Sequence, residues 1–412
     1  MKIKGWLLVF GTLITISGFS QNKSLDYFLN QAMSSSPLLK DYQNQIQSGE
    51  YDSLLVRAAY KPQVTGTSYA VYPPIINGYG YDAAITNGGT YTALVGVNKI
   101  LLNKKNVNTQ LENLQLQNQS VSNATKISEQ DLKRSIAAQY ITVYGDGLQL
   151  DFNNTLAALL IKEEAILKKL TEKNVYKQVD YLTFLVTLQQ QQLLIKQLVI
   201  QSKNDCATLN YLSGITDTAT VVLDDPNISL YALPDIVNSV FFKHFEIDSL
   251  KLMNSKALIN INYRPKINLF ADAGYNSTLA YDAYKNFGMS VGISAVIPIY
   301  DGRQRKLQYS KITIAERTRQ DYKSFFTDQY YQQVSQLTQQ LNATNSLIND
   351  MKNQLKYSQS LIDVNEKLLE AGEVRITDYI VALNNYLNAQ NLITQNKITR
   401  LQIINQLNYW SR

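Results

Sequence analysis

Cysteine and histidine are nearly missing from this chain of 412 residues, in which Cys206 and His244 stand alone. One cysteine excludes an internal disulfide framework, and one histidine argues against a histidine metal cage or a Ser-His-Asp triad. No metal and no cofactor are therefore expected, and enzyme chemistry is disfavoured. Charge is scarce too, at 17% of residues, and the net balance of +6 is not arranged like a nucleic-acid footprint. Past the N-terminus no apolar run approaches the 18 or so residues of a transmembrane helix, so a helical membrane protein is excluded.

What is present begins with an address. Lys2 and Lys4 precede apolar residues 6–10 and 13–16, and the small residues Gly18 and Ser20 stand before a cut ahead of Gln21. Residues 1–20 read as a secretory signal peptide, whose removal lowers the charge from +6 to +4. With no cysteine near the cut, a lipid anchor is not expected.

The mature chain is written twice. "TLNYLSG" at 208–214 returns as "QLNYWSR" at 406–412, and "VDYLTFLVTLQQQQ" at 179–192 as "TDYIVALNNYLNAQ" at 377–390, both 198 positions on. "LVGVNKI" (94–100) faces "SVGISAV" (290–296) at 196, and "YKPQV" (60–64) faces "YRPKI" (263–267) at 203. A period this long implies a duplicated half-protein rather than a short solenoid repeat. The reading is one integrated domain with a first repeat at 21–220 and a second at 221–412.

Each repeat alternates two patterns. Phe287, Met289, Val291, Ile293 and Ala295 interleave with Gly288, Ser290, Gly292 and Ser294, a period of two that makes a strand with one apolar and one small, polar face. Strands are expected at about 62–72, 91–101, 265–275 and 287–297, with Phe270 breaking the alternation of the third. Helices are expected at 37–59 and 235–260 and, in proline-free stretches, at 104–170 and 303–370, each followed by a return helix at 178–213 and 377–411. Gly145 and Gly147 weaken the first long helix near its middle. Ile376, Ile380, Leu383 and Leu387 have the seam spacing of helices packed lengthwise.

Strands of roughly ten residues, exported and two-faced, suit a membrane barrel with lipid on the apolar side and water on the other. Phe287, Met289, Val291, Ile293 and Ala295 would then face lipid, and Gly288, Ser290, Gly292 and Ser294 the lumen. The smallest such barrels use about eight strands and one chain supplies four, so copies must share the barrel; a dimer or a trimer both satisfy the count. Tyr69, Tyr72, Tyr79, Tyr81, Tyr91, Tyr275, Tyr281, Tyr284 and Tyr300 cluster at strand ends, as interfacial girdles do. Lys104, Lys105, Arg303, Arg305 and Lys306 follow the strands, placed to snorkel at the membrane's inner rim.

"SSSPLL" at 34–39, "YKPQV" and "YRPKI" before the strands, "VIPIYDGRQR" at 296–305 and "EAGEVRITDYIVA" at 370–382 together resemble the TolC family of outer-membrane efflux and secretion channels across the mature chain. The first-half counterpart of the junction, "KILLNKKN", lacks its proline and glycine. The resemblance implies a mixed α/β membrane protein: a homotrimer sharing a 12-stranded outer-membrane β-barrel continued by a 12-helix periplasmic α-barrel. It also implies a Gram-negative outer membrane and, as partners, a periplasmic adaptor and an inner-membrane pump.

The helical turns near 171–178 and 370–377 are the candidate gate in that picture. Asp180 and Asp378 hold matching positions; each would form a carboxylate ring in a symmetric assembly, or else cap its own helix. Arg375 matches the arginine of the family's turn and is expected to latch onto Glu370 or Glu373, or to stay solvated. Tyr181 and Tyr379 either narrow the mouth or pack between helices. The expected function is passive conduction in a tripartite efflux or type I secretion system; the rival is a periplasmic coiled-coil adaptor.

Overall fold

The computed structural model describes residues 23–80, 89–101, 104–232, 236, 239–278 and 282–411. The signal peptide at 1–20, Tyr81, Tyr281 and the expected helix start at Leu233-Pro234-Asp235 lie outside them.

The order of elements is α1 (Leu25–Ser35), α2 (Pro37–Ala59), β1 (Gln63–Val71), β2 (Thr90–Leu101), α3 (Lys104–Glu172) and α4 (Gln178–Leu212). It continues with α5 (Val240–Asn262), β3 (Lys266–Ser277), β4 (Phe287–Val296), α6 (Gln304–Glu370) and α7 (Ile376–Trp410). A short 3₁₀ turn, Ala283–Lys285, joins β3 to β4. The sequence of helix, strand pair, long helix and shorter helix occurs twice. α2 and α5 have 23 residues each, α4 and α7 have 35 each, and α3 and α6 have 69 and 67.

The starts of these helices have local causes. Ser36 Oγ accepts the Leu39 amide at 3.4 Å, with Pro37 in the first turn, and Ser239 Oγ accepts the Phe241 amide at 3.3 Å. Asp301 accepts the amides of Arg303 (2.9 Å) and Arg305 (2.8 Å), so the "YDG" junction is the cap of α6. Lys104, Lys105, Arg303, Arg305 and Lys306 are exposed just after the sheet. α3 passes through Gly145 and Gly147 as one helix. At Gly145 the absent side chain matters, because a Cβ there would fall on Ile398 of α7.

Among the described residues the chain forms two compact units. One comprises Met1–Ser35, Leu132–Tyr231 and Leu337–Tyr409; the other comprises Ser36–Asp131, Ala232–Gln336 and Trp410–Arg412. Each takes segments from both repeats, because α3 and α6 contribute a portion to each. The first unit has an apolar core of Leu156, Leu160, Leu167, Phe184, Ile362, Leu369, Ile376, Tyr379 and Leu383. In the same unit a second cluster holds Phe28 and Ala32 of α1 against Tyr140, Cys206 and Leu209. The sequence reading did not separate out α1, whose 11 residues bury only Phe28 and Ala32. The second unit is held by aromatic edges and faces, with Phe242 and Trp410 each against both Phe326 and Tyr330 and His244 stacked on Phe245.

The sheet, in the second unit, is antiparallel in the order β1-β2-β3-β4. Its register aligns Val97, Ala271 and Val291 on one face and Gly96, Asp272 and Ser290 on the other. Met289 is 86% exposed and Val291 83%, so the apolar face is uncovered in the single chain. Phe270 belongs to the small, polar face, where its ring lies against Gly292, its pairing partner; a Cβ at 292 would fall on that ring. The break in the third strand's alternation is therefore a space filled from across the ladder. Gly274 has φ +152°, and a Cβ there would strike the Ala93 carbonyl oxygen of β2.

Gly274→Ala is expected to weaken the β2–β3 pairing and lower the thermal midpoint of the assembled protein. Gly147→Ala, mid-helix in open space, is expected to leave it unchanged or raise it, to be read by circular dichroism in detergent.

Candidate functional site

Within the first unit, α3 and α4 form one helical hairpin and α6 and α7 a second. Their turns share a backbone device. Asn174 (φ 60°) ends α3 and Gly372 (φ 74°) ends α6, both left-handed. The Val175 amide reaches back to Leu170 O at 2.9 Å, and the Glu373 amide to Leu368 O at 2.9 Å. The same helix-ending motif thus occurs in both, with asparagine tolerated where glycine is the usual choice. The two turns touch, since Tyr176 donates to Val374 O at 2.8 Å and to Leu369 O at 3.4 Å. Val175 packs so near Gly372 that a Cβ at 372 would meet its Cγ1 at 2.9 Å.

The predicted residues fall into three groups. Asp180 accepts the Lys177 amide at 3.3 Å and so caps α4, the bland alternative read from the sequence. Asp378 receives the Arg375 guanidinium side-on, Nε to Oδ2 at 3.0 Å and Nη2 to Oδ1 at 3.2 Å. This corrects the expected latch: Arg375 pairs within its own helix start, and Glu370 and Glu373 are exposed and are not its partners. The reason is proximity, because a residue three positions on in a first turn faces back to the cap, while the two glutamates lie across the turn. Arg375 is 82% exposed, so the pair is worth under about 1 kcal/mol.

The two tyrosines part company despite matching positions. Tyr181 is half-buried, and its hydroxyl donates to Glu164. Tyr379 has no exposed surface and sits in the apolar core, so it packs between helices and does not line a mouth. Its hydroxyl has no hydrogen-bond partner among the described residues, and burial raises the phenol well above the usual tyrosine range. Ile376 and Leu383 are likewise buried and Ile380 and Leu387 pack against them, so that seam is internal to the unit.

Two residues that sequence reasoning missed lie here. Tyr176 ties the turns together, and its counterpart in the second repeat is Val374, so the repeat conceals it. Glu163 is fully buried, and among the described residues neither carboxylate oxygen has a hydrogen-bond partner at normal geometry. Burial first, and the neighbouring Glu366 carboxylate second, push its carboxyl up to about 7. Beside it Lys162 and Glu366 form an ion pair at 2.7 Å between α3 and α6. A second raised carboxyl in the unit is Asp146, pushed up to about 7 by burial and by its contact with Asp205.

Solved structures share this arrangement along nearly the whole chain. The outer membrane protein VceC of Vibrio cholerae matches with a TM-score of 0.76 at 12% identity, over 94% of this chain and 96% of that one. A membrane protein of Pseudomonas aeruginosa gives 0.77 at 13% identity, over 95% and 93%. The MtrE outer membrane channel of Neisseria gonorrhoeae, in its open state, gives 0.73 at 12% identity, over 94% and 88%. The chain has the fold of the TolC-like outer-membrane channels. No protein-family model and no curated protein sequence matches it. At these identities the likeness is one of fold, and the resemblance read from the sequence holds at that level.

Tyr176→Phe is expected to remove the tie between the turns at a cost of about 1 kcal/mol, seen as faster amide exchange at residues 371–375. Arg375→Ala is expected to leave that exchange nearly unchanged.

Proposed function

We propose that the chain is one subunit of an outer-membrane channel in a tripartite efflux or type I secretion system of a Gram-negative cell. Three copies close a 12-stranded barrel from four strands each and continue it as a 12-helix tunnel. Substrate passes down its own gradient, and the helical tip gates it. A periplasmic adaptor docks at that tip, and an inner-membrane pump supplies the energy.

The observation that carries this reading is the sheet. β1 and β4 are its two edges, and the apolar side between them is bare in one chain. In lipid such edges must be paired, and a second copy offers the complementary edge. The helices point the same way. Val179, Leu182, Val186, Leu193 and Ile200 recur on α4 at the steps of a heptad seam, and each is half or more exposed. Tyr357, Leu361 and Val364 continue such a stripe on α6, at 75%, 46% and 54% exposed. Unlike the buried seam of α7, these stripes have no cover within the unit and suit helices of adjoining copies.

An adaptor would show one hairpin flanked by small β domains, whereas this fold has two hairpins and one four-stranded sheet. Arg375 and Lys177 offset Asp378 and Asp180, but with the exposed Glu370 and Glu373 the acids outnumber the bases beside the turns and would concentrate cations at the narrow end.

The purified protein is expected to conduct in a planar bilayer with a preference for cations, and Asp180→Asn with Asp378→Asn to reduce that preference. A single cysteine at Ser68 on β1, combined in turn with one at Met289, Val291 or Ile293 on β4, is expected to give a covalent trimer on oxidation. Cys206 is buried and does not interfere. No current from the wild type, or oxidised products that stay monomeric for every pair, contradicts the proposal.

A further inference from the structure

Glu163 is set among groups that do not complement it. Its own helix supplies Lys162, whose charge favours the ionised form but which is engaged by Glu366 at 2.7 Å and is outweighed by burial and by Glu366 itself. From α6, Glu366 and Glu370 act on it with like charge. α7 presents Tyr379, which feels the Glu163 charge and whose hydroxyl has no partner among the described residues. A carboxylate shut away with no donor and with acids for neighbours is strongly disfavoured in its charged form and takes up a proton instead.

We propose that Glu163 and Glu366 form a proton-operated catch between α3 and α6, closed while Glu163 is protonated and released when it ionises. When the proton is present, Glu163 is neutral, can donate toward the Glu366 carboxylate, and leaves the Lys162–Glu366 pair undisturbed. When it leaves, two or three carboxylates confront each other across the α3–α6 contact, and the repulsion is relieved by moving the helices apart and admitting water. Tyr379, which feels the charges of Glu163 and Glu366, belongs to the core that also contains Leu369 and Ile376, the residues that flank the second turn, so release of the catch loosens the packing under the candidate gate. The consequence for gating rests on the channel reading; the packing change does not.

The sign follows from the direction of the shift. The carboxyl is raised in the folded chain from 4.5 to about 7, so the fold holds the proton more tightly than the unfolded chain. The contribution of this site to packing is complete in acid, declines as pH climbs from 4.5 toward about 7, and is absent above that.

Amide exchange of the assembled protein in detergent tests the catch, with rates corrected for the intrinsic effect of pH. Protection at residues 160–167 and 376–383 is expected to fall on the order of tenfold or more between about pH 5.5 and about pH 8.5 in the wild type. Glu163→Gln, which stays neutral and nearly isosteric, is expected to remain protected at both values. Glu366→Gln, a second variant should the first misfold, removes the like charge and is expected to move the transition to lower pH. A wild type with constant protection, or a Glu163→Gln protein showing the same fall, overturns the proposal. Because exchange is read without current, a protein that shows this pH response yet never conducts would refute the channel and leave the catch standing.

Discussion

A peptide group facing hydrocarbon without a partner costs several kcal/mol, and in the proposed membrane setting the edge strands β1 and β4 would each present a row of them. The rest of the proposed assembly depends on that constraint. A four-stranded sheet cannot curl far enough to pair its own edges, so partners must come from elsewhere. A second copy is the simplest source, since its free edges are by definition the same two. The apolar residues of β3 and β4, brought to one face by the register, fit lipid once the edges are paired. The Gly and Ser residues opposite them leave space on the other face, with Phe270 reaching over Gly292.

The two repeats keep their backbone devices and change their side chains. Asn174 and Gly372 end the long helices in the same conformation, and Lys177 and Arg375 stand at matching starts of the return helices, each followed three positions on by an aspartate. Yet Asp180 answers a backbone amide while Asp378 answers a guanidinium, and Tyr181 reaches Glu164 while Tyr379 is sealed in the core. Tyr176 crosses to a turn that has only Val374 in its place. Duplication therefore supplies a scaffold of near-equivalent hairpins, and at their turns the side chains depart from equivalence.

Much of the fold was legible because its signals are local. The alternation from Phe287 to Ala295 is a strand under any packing, and Ser36-Pro37 marks a helix start by its own chemistry. Long proline-free stretches pointed to α3 and α6, whose observed ends lie within about two residues of those expected. The site was less legible because it is made of contacts across the chain. Glu163 and Glu164 are adjacent acids in a helix; a step of about 100° puts one in the core and the other on Tyr181, and only the neighbouring helices decide which. Arg375 had acids on both sides in sequence, and turn geometry selected Asp378. Phe270 looked like an error in its strand until the register supplied Gly292.

The mass of the intact particle tests the central claim most directly. Native mass spectrometry of the protein released from detergent should give three chains and no appreciable single chain under conditions that preserve the fold. A stable, folded monomer that stays soluble without detergent would mean that the sheet edges are satisfied in some other way, and the shared barrel would have to be abandoned.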